Sequence, residues 1–267
     1  MQIAQLEFIH YSSVYKKLQE KLQIIKIIVS LRIFKRWGQL RKLRSIMNTL
    51  YIDNYRTNLG QILLKIENDV KCKCVIAQQN SLTTINTLSH YIEIFTFDRI
   101  KEWLKDTDNA VEQSRGWIIK TKKISHEKEQ LWFKCELDTD TLLTYISADS
   151  GENLDAVCME NQTDVLHIGT EDNESLKYRA SENDLMPQRF EKEAKQDFIF
   201  TRYIDNGFCT SVPKLEKGEQ IYFHYLMASN PKKKSKYYPD EDDISTWFAV
   251  DYSKQTLVER LELSKWK

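Results

Sequence analysis

The chain predicts an α+β protein in two segregated parts: an N-terminal basic helical bundle over residues 1–115, then an antiparallel β-sandwich or barrel-like domain over residues 116–267. Three observations predict it. Breakers are scarce in front: the first proline is Pro187, and Gly38 and Gly60 are the only glycines before Gly116, so long helices meet little obstruction. The apolar period is three to four residues before Gly116 and two after it. The formal charge, zero overall, splits into +8 over residues 1–60 and −8 over the remainder, which points to an acidic partner for the front or to the halves packing on each other.

In the front, Tyr11, Tyr15, Leu18, Leu22, Ile25 and Val29 fall on one helical face, and the stripe resumes through Ile33, Trp37, Leu40, Leu43, Met47 and Leu50. A second helix is expected through Leu59, Ile62, Leu63 and Ile66. A third starts from a cap at Ser81 and runs through Ile85, Leu88, Tyr91 and Ile92. Asp98 is expected to cap a last helix carrying Ile100, Trp103, Leu104 and Val111.

Behind Gly116, Leu131, Phe133, Cys135 and Leu137 alternate with polar residues, as do Ile221, Phe223, Tyr225 and Met227, and Ile244, Thr246, Phe248, Val250 and Tyr252. Strands are also expected at 117–124, 142–148, 165–169, 198–204 and 257–263. Asn206-Gly207 predicts a tight hairpin, because both central residues of such a turn need positive φ. The polar segment 171–195 reads as a surface connection or a short helix around Arg189 to Lys195.

Composition excludes several classes. At 41% hydrophobic over 267 residues the chain can bury real cores. Its most apolar run, Ile24 to Phe34, is interrupted by Lys26 and Arg32 and is far short of the roughly 20 residues that span a bilayer. No transmembrane segment or signal peptide is expected. Five cysteines, an odd number without paired spacing, point to reduced thiols in the cytoplasm. Phosphate-loop, dinucleotide, zinc-protease and serine-elbow motifs are absent from the sequence. No cofactor is expected.

Four constellations carry chemistry. Lys35, Arg36, Arg41, Lys42 and Arg44 cluster around Trp37; as a basic amphipathic helix they suit an acidic protein, a nucleic acid, or an anionic membrane surface that also uses Ile24, Ile28 and Phe34. The loop 230–243 sets Lys232, Lys233, Lys234 and Lys236 against Asp240, Glu241, Asp242 and Asp243. Its acids, with Asp138, Asp140, Asp149, Glu152 and Asp155, have the oxygen ligands of a hard-cation site without a calcium-loop spacing. If 215–218 closes a hairpin, Cys209 faces His224, a pair suited to acyl transfer. Cys72-Lys-Cys74 with His90 is a poor zinc spacing, and no metal is assigned.

These features favour a non-enzymatic binding, adaptor or regulatory protein, a subunit of a cytosolic multi-protein assembly. A nucleic-acid-binding protein acting through residues 16–44 and a hydrolase using Cys209 and His224 are the alternatives.

Overall fold

The structure is a computed structural model that describes residues 47–71, 73–151, 154–194, 200–234 and 244–266. Residues Asn48–Lys267 are one unit of the chain, separate from what precedes them. This unit carries the strands β1 (Asn48–Arg56), β2 (Gln61–Asn68), β3 (Val75–Gln79), β4 (Leu82–Asn86), β5 (His90–Phe97), β6 (Gln113–Lys123) and β7 (Leu131–Asp138). After them come β8 (Tyr145–Ser150), β9 (Leu154–Glu160), β10 (Asp164–Glu171), β11 (Thr201–Ile204), β12 (Gly207–Ser211) and β13 (Gln220–Pro231). The helices are short: α1 (Ile100–Leu104), α2 (Asn173–Ser181), α3 (Arg189–Ala194), α4 (Ser245–Phe248) and α5 (Lys254–Arg260).

All strand pairs are antiparallel, in a five-stranded sheet ordered β1-β2-β7-β12-β11 and an eight-stranded sheet ordered β3-β4-β5-β6-β13-β10-β9-β8. Alternation decides which side chains meet between them. Ile62, Leu64 and Ile66 of β2 and Leu131, Phe133, Cys135 and Leu137 of β7 pack in one core with Trp117, Ile119, Ile221, Phe223, Tyr225 and Met227 from the larger sheet. Phe133 meets Phe223 edge to face with ring centroids 5.0 Å apart, a favoured aromatic arrangement.

The larger sheet is covered on its outer face too. Ile118, Tyr222, Leu226 and Ala228 form a second core with Val250, Leu257, Leu261 and Trp266 of the C-terminal segment. Strand β13 is therefore buried along ten consecutive residues, as expected of a strand packed on both faces. Ser253 caps α5 by accepting from the Thr256 backbone N–H.

The helical bundle is overturned. From residue 48 the front is strand, and the stretches read as helices around Ile62 and Tyr91 are β2 and the β4–β5 hairpin. In β2, Ile62, Leu64 and Ile66 alternate into the core, a period the three-and-four spacing of Leu59, Ile62, Leu63 and Ile66 imitates. The basic amphipathic helix has no counterpart in this architecture of strands and short helices, and its residues lie outside those described. Of the helix expected after Asp98 only Ile100–Leu104 forms, with Arg99 at its N-cap.

Gly116 was read as the boundary breaker. It lies inside β6, where a Cβ would sit 2.2 Å from the Phe97 ring, so the glycine makes room for an aromatic ring across the strand pair.

Behind it, β7 and β13 lie where alternation puts them, and β6 and β10 cover the further strands expected at 117–124 and 165–169. Strands expected at 244–252 and 257–263 are instead α4 and α5. Leu257, Val258 and Leu261 are buried together, which is helical spacing.

The hairpin at 204–207 forms with a shift of one residue. Ile204 pairs with Gly207, so Asp205 and Asn206 are the turn, and the positive φ, +157°, belongs to Gly207. A Cβ there would meet the Cys135 carbonyl at 2.0 Å. Asn206 secures the turn by donating its Nδ2–H to the Leu137 carbonyl at 2.7 Å.

No helix among the described residues is long and apolar enough to cross a membrane.

Candidate ligand-binding cavity

Beyond the second core, the outer face of the larger sheet continues as an open grid. Register aligns Tyr145, Glu160, Val165 and Asn230 in one row across β8, β9, β10 and β13, and Ser147, Cys158, His167 and Ala228 in the next. Residues alternate between faces of a strand, so the two rows share one surface. Helix α4 stands over its end. Together they enclose a cavity of about 570 Å³, lined by these side chains from β8 to β10, by Ile244, Trp247 and Phe248, and by Lys232 and Lys233.

The wall is aromatic. Trp247 and Phe248 meet at an interplanar angle of 87° with centroids 5.4 Å apart, forming a corner. Gly151 lets the indole lie against the end of β8, since a Cβ there would come within 2.8 Å of it. Tyr145, Ile244 and Phe248 are each exposed at the mouth.

The floor supplies polar groups. His167 is buried, with Nδ1 2.9 Å from Thr246 Oγ1. Its Nε2 has no protein partner among the described residues and opens on the cavity. Burial holds the ring down to about 4, so it is neutral at pH 7. The Trp247 indole N–H is likewise a buried donor without an acceptor among the described residues. On the rim, Glu160 pairs with Lys232 at 2.5 Å.

Cys158 and His167 face each other directly across β9 and β10, the arrangement expected of Cys209 and His224. They do not form a thiolate–imidazolium pair. Burial, followed by the charge of Glu160, pushes the thiol up to about 12. With the thiol raised and the histidine lowered by burial, proton transfer from sulfur to ring is disfavoured. The pair is a neutral lining.

The Cys209–His224 pairing is corrected by topology. Cys209 opposes Lys134 and Arg202 in the smaller sheet, and His224 opposes Ile118 in the larger. Residues 212–219 cross between the sheets, where a hairpin was expected. His224 is buried beneath Tyr222, whose hydroxyl is 3.2 Å from Nδ1. Burial lowers it to about 3.

Two further polar clusters are structural. Ser89, His90 and Glu129 have the residue types of a hydrolytic triad, but a relay uses opposite ring nitrogens. Here Ser89 Oγ and Glu129 Oε2 approach the same Nδ1, at 3.0 and 3.2 Å, and Ser89 donates directly to Glu129 at 2.9 Å. Glu129 also accepts from Thr87 Oγ1, the Ser89 backbone N–H and Asn68 Nδ2. In the second cluster Arg179 grips Glu171 through two bonds of 3.0 and 2.9 Å and donates to the Tyr222 carbonyl at 2.8 Å. Both carboxylates are spent inside the fold.

Lys35, Arg36, Arg41, Lys42 and Arg44 lie outside the described residues, as do Cys72, Glu152 and residues 235–243. Lys232 and Lys233 of the expected charged loop line the cavity. Asp155 accepts from the Tyr203 hydroxyl, and among the described residues no group of three or more His, Cys, Asp or Glu side chains is placed to hold a metal ion.

Fold and cavity together define an antiparallel two-sheet β-sandwich with an aromatic-walled pocket on the outer face of its larger sheet. No family model matches the chain, and no curated protein gives a significant match.

Proposed function

We propose that this chain is a non-enzymatic binding protein, a subunit of a cytoplasmic assembly, whose β unit holds an apolar or aromatic side chain of a partner protein in the cavity beside α4. The corner made by Trp247 and Phe248 carries this reading. It is an aromatic recess with exposed apolar residues at its mouth and an ion pair at its rim, the anatomy of an interface anchor site. His167 Nε2 gives the anchor hydrogen-bonding specificity. The four described cysteines are free thiols, which supports a reducing compartment.

A random-peptide display selection on the full chain is expected to return peptides sharing an aromatic or large aliphatic anchor. Phe248→Ala combined with Ile244→Ser weakens their binding about tenfold or more. Both residues are exposed, so the thermal midpoint stays in place. Peptides held equally well by the double variant remove this reading.

The basic stretch supports a second contact. The +8 charge of residues 1–60 suits an acidic protein surface or a nucleic acid. Binding to a polyanion such as heparin or a DNA duplex is expected to fall steeply with salt, and to be abolished when Arg36, Arg41, Lys42 and Arg44 are changed together to Glu. Salt-insensitive binding overturns it.

A further inference from the structure

Among the described residues the four edge strands of the sandwich are β1, β11, β3 and β8. An unpaired edge is a template for another strand, and folded proteins blunt it with charge, local capping or proline. Three of the four are blunted. Strand β1 carries Asp53 and Arg56, and β11 carries Arg202. On β8, Asp149 Oδ1 accepts from the Ser150 backbone N–H, and Ser147 Oγ donates to the Ala148 carbonyl.

Strand β3 has none of these devices. Its sequence, Val-Ile-Ala-Gln-Gln, lacks charge, proline and glycine, and all five residues are exposed. Val75 is 65% and Ile76 45% exposed, so neither side chain contributes to a core.

Hydrogen bonding decides which backbone groups are free. The Ser81 carbonyl accepts from Thr96 and the Thr87 N–H donates to His90, so the odd-numbered residues of β4 face β5 and its even-numbered residues face β3. Through the register Val75–Asn86, Ala77–Thr84 and Gln79–Leu82, the odd-numbered residues of β3 are committed to β4. The peptide groups of Ile76 and Gln78 therefore point outward.

We propose that β3 pairs antiparallel with β3 of a second copy about a two-fold axis through Ala77, joining the two larger sheets edge to edge. In this register Ile76 of each copy opposes Gln78 of the other, so the outward groups satisfy one another in four hydrogen bonds. Val75 opposes Gln79, and no like charges meet. Ala77 opposes itself at a non-hydrogen-bonded position, where Cα atoms approach to about 4.5 Å, and a methyl group fits there. The interface is isologous, as a closed dimer requires. Five residues a side bury well under the roughly 1,200 Å² of a stable complex, so the dimer is weak and concentration-dependent.

Sedimentation equilibrium of the full chain is expected to show reversible monomer–dimer exchange. Ile76→Lys sets a cation against the partner edge, and Gln78→Pro removes an outward N–H without touching the β4 ladder. Each weakens association tenfold or more, with circular dichroism and thermal midpoint retained. On mild oxidation Ala77→Cys gives a covalent dimer beyond the wild-type background, and Val75→Cys, whose opposite residue is Gln79, does not. A chain that stays monomeric at all concentrations, a dimer equally strong in Ile76→Lys and Gln78→Pro, or cross-linking through position 75 and not 77 overturns the proposal.

Discussion

Glu129→Ala is expected to cost about 3–5 kcal/mol of folding stability, the range for removing one member of a buried charged network. The carboxylate lies between β6 and β7 and reaches Asn68 at the end of β2 and Thr87, Ser89 and His90 at the β4–β5 turn. It thus ties one end of the smaller sheet to the larger. Without it, at least five donors from two segments lose their acceptor in a site where its own side chain is fully buried. Urea unfolding shows the loss as a lower midpoint at unchanged slope. Burial alone would raise this carboxyl, but the hydrogen bonds from His90, Thr87, Asn68 and Ser89 together bring it down to about 2 from an ordinary 4.5. A depressed acid binds its proton more readily in the unfolded chain, so its contribution is full above pH 4.5 and lost as pH falls towards 2. The shift corresponds to about 3 kcal/mol. Wild-type stability should fall through that window and that of Glu129→Ala should fall less; equal slopes between pH 5 and 3 refute the assignment.

Strand β7 was legible because one of its faces differs from the other. In β7, Leu131, Phe133, Cys135 and Leu137 are buried while their neighbours are only partly so, and the sequence alternates accordingly. The front misled for a physical reason. Lack of proline and glycine permits a long helix but permits a long strand equally, and Leu59, Ile62, Leu63 and Ile66 satisfy both periods. The better signal was His90-Tyr-Ile-Glu-Ile-Phe-Thr-Phe97, whose β-branched and aromatic residues are those favoured in strands.

The cavity was hidden for two separate reasons. Its floor depends on β9, which is buried on both faces from Ala156 to Met159 and so shows no alternation. Its wall depends on α4, where Ile244, Thr246 and Phe248 imitate a strand. Cys158 and His167 could be paired only once β9 was known to exist. The chemistry sought at Cys209 and His224 thus has its geometry elsewhere, and there burial keeps both partners neutral.

Arg179→Ala is expected to cost a further about 3–5 kcal/mol, the penalty for stranding a buried charge. Glu171 is 4% exposed and would keep neither of its guanidinium bonds, while the Tyr222 and Asp184 carbonyls would each lose a donor. His224, 3.9 Å from Glu171, is a poor replacement for the cation, because burial, the largest cause holding the ring neutral, remains in the variant. Replacing both partners, Glu171→Leu with Arg179→Met, should cost much less than either change alone. Packed apolar residues can stand in for a buried ion pair, and the double-mutant cycle reports the coupling. The pH response separates this cluster from Glu129. Burial already pushes the Glu171 carboxyl up against the opposing pull of Arg179, and without the arginine it rises further. A raised acid binds its proton more readily in the folded chain, so the deficit of Arg179→Ala narrows as pH falls from 8 to 5. A deficit that stays constant over that range would show that Arg179 acts mainly through the two carbonyls, which do not titrate, and leaves Glu171 solvated.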